Sequence, residues 1–232
     1  MYLYFILIGI LIIVAVNFLL HQTDLIAERI IRYQHKKYIP LKDDKYIYII
    51  EDLKQRLNIK LKTHLLFNPK ALQENCLVSI YNNEIYIIIN KNINEKRFKF
   101  SMAHEFGHII MRHSERQKPF MQNYIFLLNI FLTSFLLYPL INIKVFIYIV
   151  LITYLIQFLY QFVFLNHIKR KFELEADTVA AEVLPIHEIE DAFNAISKST
   201  KLISSIPLPY NSHPTIKSRL RNIRKINKIY NR

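Results

Sequence analysis

Ala103-His104-Glu105-Phe106-Gly107-His108-Ile109-Ile110 is the stretch on which the reading of this sequence turns. On a helix, side chains four residues apart lie one above the other, so His104 and His108 present their imidazoles to one point in space. Two imidazoles so placed can bind one Zn²⁺, and Glu105 beside them can take a proton from water held at the same point. A histidine-rich surface helix is the plain alternative. The apolar flanks argue against it, because they belong to a buried helix. So does Gly107, which sits mid-helix against propensity and for which close packing is a physical reason.

Outward from that helix the chain turns apolar. Residues 120–165 contain a single proline, Pro139, and a single charge, Lys144, and both fall between two segments of about 20 residues, the length that spans a hydrocarbon core of about 30 Å. Neither segment shows the polar stripe of an amphipathic core helix, so they read as a membrane hairpin. Residues 2–20 form another uncharged run with Asn17 as its one strongly polar side chain. It has no basic lead and no small-x-small cleavage site, and reads as a retained transmembrane anchor. Arg29, Arg32, Lys36 and Lys37 follow the anchor, Arg112, Arg116 and Lys118 precede the hairpin, and Lys169, Arg170 and Lys171 follow it. Lys144 alone lies on the other side. By the positive-inside rule both polar segments face the cytoplasm of a multi-pass cell-membrane protein, with the amino terminus and hairpin turn outside.

The whole composition agrees with a membrane. Of 232 residues 52% are hydrophobic, and Lys+Arg 31 against Asp+Glu 18 give a formal charge of +13. This apolar load excludes a disordered chain. Gly9 and Gly107 are the only glycines, too few for a phosphate-cradling loop. The lone Cys76 cannot close an intramolecular disulfide, which fits a reducing compartment, and it excludes a cysteine-rich metal module. Any metal must sit on histidines and carboxylates. The glycine-poor, isoleucine-, lysine- and asparagine-rich usage points to an AT-rich bacterial genome.

Two histidines leave a tetrahedral catalytic site one protein ligand short, the fourth place being for water. His113, Glu115, Glu173, Glu175, Asp177 and His213 are the candidates. His113, nine residues past His104, rotates off the shared face and reads as a solvated helix-end residue. Glu173 and Asp177 are four apart in Phe172-Glu173-Leu174-Glu175-Ala176-Asp177, on one face of a helix that follows the hairpin directly. Glu173 as ligand with Asp177 supporting it is the economical assignment. An acidic helix start favoured by the dipole is the alternative.

The polar parts read as mainly helical with a small sheet. Helices are expected over 25–38 and 46–57, from Asn94 or Glu95 to about His113, from Lys169 to Leu184 before Pro185, and over 187–197. Strands are expected at 59–67 and, as a hairpin around Asn82-Asn83, at 77–81 and 84–90. The strand 84–90 either lends an edge to an extended substrate or is buried. Beyond Asp191 the tail has no acidic residue and nine basic ones, Lys198, Lys201, Lys217, Arg219, Arg221, Arg224, Lys225, Lys228 and Arg232.

The order of motifs now carries a resemblance. An HExxH helix, a two-span hairpin, Glu173-x-x-Ala176-Asp177 and the late His213-Pro214-x4-Arg219 resemble the membrane zinc metallopeptidases of the HtpX heat-shock protease and CAAX prenyl endopeptidase type, over roughly residues 98–223. The resemblance implies that Glu173 completes the zinc site and that Asp177 supports it. It also implies that His213, and less directly Arg219, lie near the substrate and the transition-state oxyanion. HtpX-like proteins carry two spans before the HExxH and this chain carries one. Arg97-Phe98 ahead of the motif, with Glu175-Ala176-Asp177 leading to Ala180-Ala181-Glu182-Val183-Leu184-Pro185, also resembles the regulatory proteases that cleave phage-type repressors. Those are usually soluble and lack the hairpin.

The expected fold is α+β, mainly α: an integral membrane protein with three transmembrane helices and a cytoplasmic zincin-like domain split by the hairpin. Its parts are an anchor (1–21), a first cytoplasmic part with the sheet and HExxH helix (22–119), the hairpin (120–166), and a second cytoplasmic part with the third ligand and basic tail (167–232). The expected activity is zinc-dependent endopeptidase action on membrane-associated or misfolded proteins or a peptide precursor. One Zn²⁺ per chain would sit on His104, His108 and Glu173, Glu105 would be the base, and His213 would donate to the oxyanion. The competing readings are the repressor-cleaving type and a non-catalytic membrane scaffold that binds metal. Every expected ligand and the base are present, which argues against the scaffold. The expected partners are a protein or peptide substrate and the lipid bilayer. Nucleic acid is not expected, since the tail lacks a recognition-helix pattern and an anionic leaflet suits its charge.

Overall fold

The computed structural model describes residues 38–69, 75–90, 93–136, 142–199 and 213–230, and these fall into two compact units. The expected anchor and the helix expected over 25–38 lie outside the described residues.

One unit holds 114–136 and 142–169. Helix α3 (His113–Leu136) enters it and carries Pro119 near its start. Helix α4 (Ile143–Leu159) starts at Asn142, whose side chain accepts from the Lys144 backbone N–H at 2.9 Å. A π-helical stretch, Tyr160–Leu165, leads without a break into α5 (Asn166–Val183). Tyr124 donates to Gln161 at 3.2 Å and Tyr160 to the Phe120 carbonyl at 3.0 Å. Along α4, Val145, Tyr148, Leu151, Ile152 and Leu155 are exposed and no residue is buried. Such a surface suits lipid and not water. Among the described residues the run Ile143–Val183 is the one helix long and apolar enough to cross a membrane.

The other unit is a four-stranded sheet with helices on one face. Strands β1 (Ile39–Pro40), β2 (Lys62–Asn68), β3 (Asn75–Tyr81) and β4 (Glu84–Asn90) lie in the order β1-β2-β4-β3. Strands β3 and β4 form the expected hairpin with Tyr81 opposite Glu84. Asn82 (φ 49°) and Asn83 (φ 62°) both take left-handed backbone, the form a two-residue turn needs if it is to match the twist of its strands. Strand β4 is internal. It runs parallel to β2 and antiparallel to β3, and Ile85, Ile87 and Ile89 on its core face are wholly buried. Both of its edges are used, so edge addition of a substrate to 84–90 is corrected. Local pattern marks a strand without showing which partners it finds.

Helix α1 (Asp44–Arg56) is capped by Asp43 and buries Tyr46, Ile49, Ile50 and Leu53, the i, i+3, i+4, i+7 face. Helix α2 (Glu95–Ile110) starts at Asn94, whose side chain accepts from the Lys96 N–H at 3.0 Å. Phe98, Met102, Ala103 and Phe106 are at 0% exposure, so α2 runs through the core with apolar neighbours on most of its circumference. Helix α6 (Ile186–Ser199) adds Ile189, Ala192 and Phe193, and α7 (Ile216–Tyr230) adds Ile223. The α7 helix was not anticipated in the basic tail. Thr215, whose hydroxyl accepts from the Ser218 N–H at 3.2 Å, and the spacing Ile216, Leu220, Ile223 are its signals.

Candidate metal centre

Helix α2 brings two donors and α5 the third. What lets the helices meet is Gly107. A Cβ there would stand 2.8 Å from the Ala176 carbonyl oxygen and 2.9 Å from its Cα. These are main-chain atoms that cannot rotate away, so the mid-helix glycine is a contact requirement. Ala176 sits between Glu173 and Asp177, and its approach to α2 carries both carboxylates towards the histidines.

The donor atoms of His104, His108 and Glu173 all lie within 4.8 Å of one another. His104 Nε2 and His108 Nε2 are 3.2 Å apart, with Glu173 oxygens 3.4 Å from the first and 3.5 Å from the second. Donors at the corners of a tetrahedron, each about 2.0–2.1 Å from one Zn²⁺, stand about 3.3–3.4 Å apart. The imidazole–imidazole edge is close to that, the two Glu173 distances run to different oxygens (Oε2 towards His104, Oε1 towards His108), and two imidazoles with a carboxylate are a set that zinc accepts. A lone pair on each Nε2 must face the centre, so each Nδ1 carries the proton and needs an acceptor.

For His104 that acceptor is Asp177, at 2.9 Å and wholly buried. Arg219 grips the same carboxylate from α7 with two nitrogens, Nε at 2.7 Å to Oδ2 and Nη2 at 2.5 Å to Oδ1. Its guanidinium carbon lies 4.9 Å from the Phe193 ring centre and 5.8 Å from that of Phe100. Burial raises the cost of the Asp177 charge, but Arg219 and His104 outweigh it and hold the carboxyl below its ordinary range. Burial likewise opposes charge on Glu173, and the three histidines around it reverse the balance and lower it strongly. His104 shows the counterpart: burial disfavours its cation, yet Asp177 and Glu173 raise it to about 9. A field that favours a proton on that ring favours any cation at the centre of the three donors.

Arg219 therefore lies behind His104, held by Asp177. His213, just ahead of α7, places Nδ1 3.1 Å from Glu173 Oε2 while its side chain is 66% exposed. Glu105 is half-buried on α2. Cys76 on β3 faces that helix, where burial first and then the Glu105 charge push its thiol up to about 12.

His113 is a correction. It is 4% exposed and no solvated helix end. Helix α2 stops at Ile110, and Arg112 turns the chain through φ 50°, so His113 comes back towards the site instead of continuing the helical rotation. His113 Nδ1 lies 2.7 Å from His108 Nδ1, and its Nε2 lies 3.0 Å from Glu175 Oε2. Its ring stacks on Phe172 at 4.5 Å. Phe172 and Glu175 are three apart on α5 and share the face that meets it. The sequence names these residues but hides their meeting, because a left-handed arginine is not a turn signal that spacing reveals.

The chain matches peptidase family M48 over residues 41–227. No curated protein sequence matches it. Among solved structures it is similar to the crystal structure of S. mikatae Ste24p, with a TM-score of 0.71 and 19% identity over 96% of this chain and 62% of that one. At that identity the likeness is one of fold, and this chain spans 62% of the other's length. With the match running through the sheet, the HExxH helix, the apolar stretch 120–165 and the Glu173 helix, the chain belongs to peptidase family M48.

Proposed function

We propose that this protein is a membrane-bound zinc endopeptidase that hydrolyses peptide bonds in membrane-associated or misfolded proteins or in a peptide precursor. The observation that carries the reading is the gathering of His104, His108 and Glu173, whose donor atoms all lie within 4.8 Å of one another, with Glu105 on the adjoining position of α2. A bound zinc ion would polarise the scissile carbonyl and acidify water. Glu105 accepts the proton of the attacking water and returns it to the leaving amine. His213, exposed and beside Glu173, is placed to donate a hydrogen bond to the developing oxyanion. Asp177, gripped by Arg219, keeps the His104 ring turned to the centre.

Strand β3 replaces β4 as the place for an extended substrate. Among the described residues it pairs with β4 alone, and it packs on α2, where its Cys76 feels the Glu105 charge. The three-span topology, with the amino terminus outside and the metal-binding unit cytoplasmic, rests on the apolar runs and the lysine and arginine bias.

The test is cleavage of casein, and of the protein itself, by the full chain in detergent beside Glu105→Gln. We expect about one zinc in each and cleavage in the unaltered protein alone. Equal cleavage by Glu105→Gln would remove the base from the account.

A further inference from the structure

The two metal-facing histidines are held from behind in different ways. His104 hands its Nδ1 proton to a carboxylate that an arginine grips, whereas His108 faces a second imidazole, His113, and through it Glu175. We infer that His113 is a positioning residue for the metal, the middle of a chain that runs from Glu175 through His113 to His108 and fixes the His108 ring. The inference rests on the reading of His104, His108 and Glu173 as ligands.

The chemistry fixes the direction of every hydrogen bond in that chain. A ligating Nε2 must offer a lone pair, so the neutral His108 ring carries its proton on Nδ1. That N–H points at His113 Nδ1, 2.7 Å away, which must then be the acceptor. A neutral imidazole that accepts on Nδ1 carries its own proton on Nε2, and Glu175 Oε2 stands 3.0 Å from that nitrogen. Each group therefore has one consistent state, and the charge of Glu175 reaches His108 through a polarised ring. The ring is itself fixed. It is 4% exposed, lies at 11° to the Phe172 ring it stacks on, and enters from the Arg112 turn that ends α2. A solvated or purely packing histidine needs neither the two short polar contacts nor the carboxylate.

The metal site thus draws on all three carboxylates of the α5 stretch. Glu173 faces the centre, Asp177 backs one histidine, and Glu175 backs the other through His113.

Zinc affinity tests this directly, measured on the full chain in detergent by competition with a chromophoric chelator and followed by the visible bands of the cobalt form. His113→Phe keeps the ring stack on Phe172 and removes both hydrogen bonds. His113→Asn places an oxygen near the position of Nδ1 and can still accept from His108. Partners of this kind are worth about 10- to 100-fold in metal affinity. The expected result is zinc binding about 10- to 100-fold weaker in His113→Phe with altered cobalt bands, substantial recovery in His113→Asn, and unfolding midpoints of the metal-free proteins that stay together. Affinity and cobalt bands equal to those of the unaltered protein in His113→Phe would overturn the inference and leave the metal site standing. A loss of equal size in both variants, following a loss of metal-free stability, would reduce His113 to packing. No zinc in the unaltered protein would overturn the site itself, and the chain behind it falls too.

Discussion

Asp177 is a fully buried, doubly paired side chain of the candidate metal centre. It is at 0% exposure, is shared by His104 and Arg219, and has no water to fall back on. Removing one partner of a buried ion pair leaves the other charge uncompensated, at a cost of about 3–5 kcal/mol. Asp177→Asn should therefore destabilise the protein by about that much, through the stranded Arg219 guanidinium, besides weakening zinc binding. A denaturation midpoint unchanged in Asp177→Asn would contradict the pairing. Cys76 gives a prediction in pH. Its thiol is raised to about 12 in the fold, whereas an unfolded cysteine loses its proton at about 8.5. A raised acid is favoured in its neutral form, so its contribution is fully present below about pH 8.5 and is lost as pH climbs towards 12. The decline is at most about 1.4 kcal/mol per pH unit. Between pH 7.5 and 9.5 the unaltered protein should lose stability faster than Cys76→Ala, and parallel curves would refute the burial. His104, Glu105 and His108 were legible at this scale because their spacing is their geometry. Arg219 was legible as a residue of the site's surroundings, behind a ligand or near the substrate, and its two contacts with Asp177 are what spacing alone does not give.

Among elements, the meeting of α2 and α5 decides whether a metal site exists. Gly107→Ala should gain about 1 kcal/mol of helix propensity, yet its Cβ would lie 2.8 Å from the Ala176 carbonyl oxygen. The helices must separate, and Glu173 moves off the histidines. The expected result is unchanged helix content with zinc affinity lowered at least about tenfold, and no rescue by Ala176→Gly, because the obstruction is main chain. Undiminished zinc affinity in Gly107→Ala would show that the contact is dispensable. The start of α2 was legible through Asn94, and the β3–β4 hairpin through Asn82-Asn83, whereas α1 begins at Asp44, ahead of the expected 46, because Asp43 caps it. The parallel pairing of β2 with β4 was not, since that register joins Lys62 to Glu84 across an intervening strand and is settled by tertiary packing. The α7 helix was obscured by its charge. Its core-facing residues Ile216, Leu220 and Ile223 are set among lysines and arginines.

For the molecule as a whole, charge and hydropathy mark the apolar and polar parts of the sequence, and the family match gives peptidase family M48. The apolar run of α4 is a helix with no buried residue, and Ile143–Val183 is long and apolar enough to cross a membrane. Helix α3 continues to Leu136. What composition could not express is that residues on either side of the apolar stretch 120–165, His104 and Asp177, end 2.9 Å apart. Assembly over that separation is the central claim, and it concerns one metal ion. X-ray absorption at the zinc edge of the detergent-purified full chain tests it most directly. The account predicts about one zinc per chain with nitrogen and oxygen neighbours at about 2.0–2.1 Å, two of them imidazole, and loss of that shell in Glu173→Gln. A sulfur neighbour at about 2.3 Å, or a shell that survives Glu173→Gln unchanged, would contradict it.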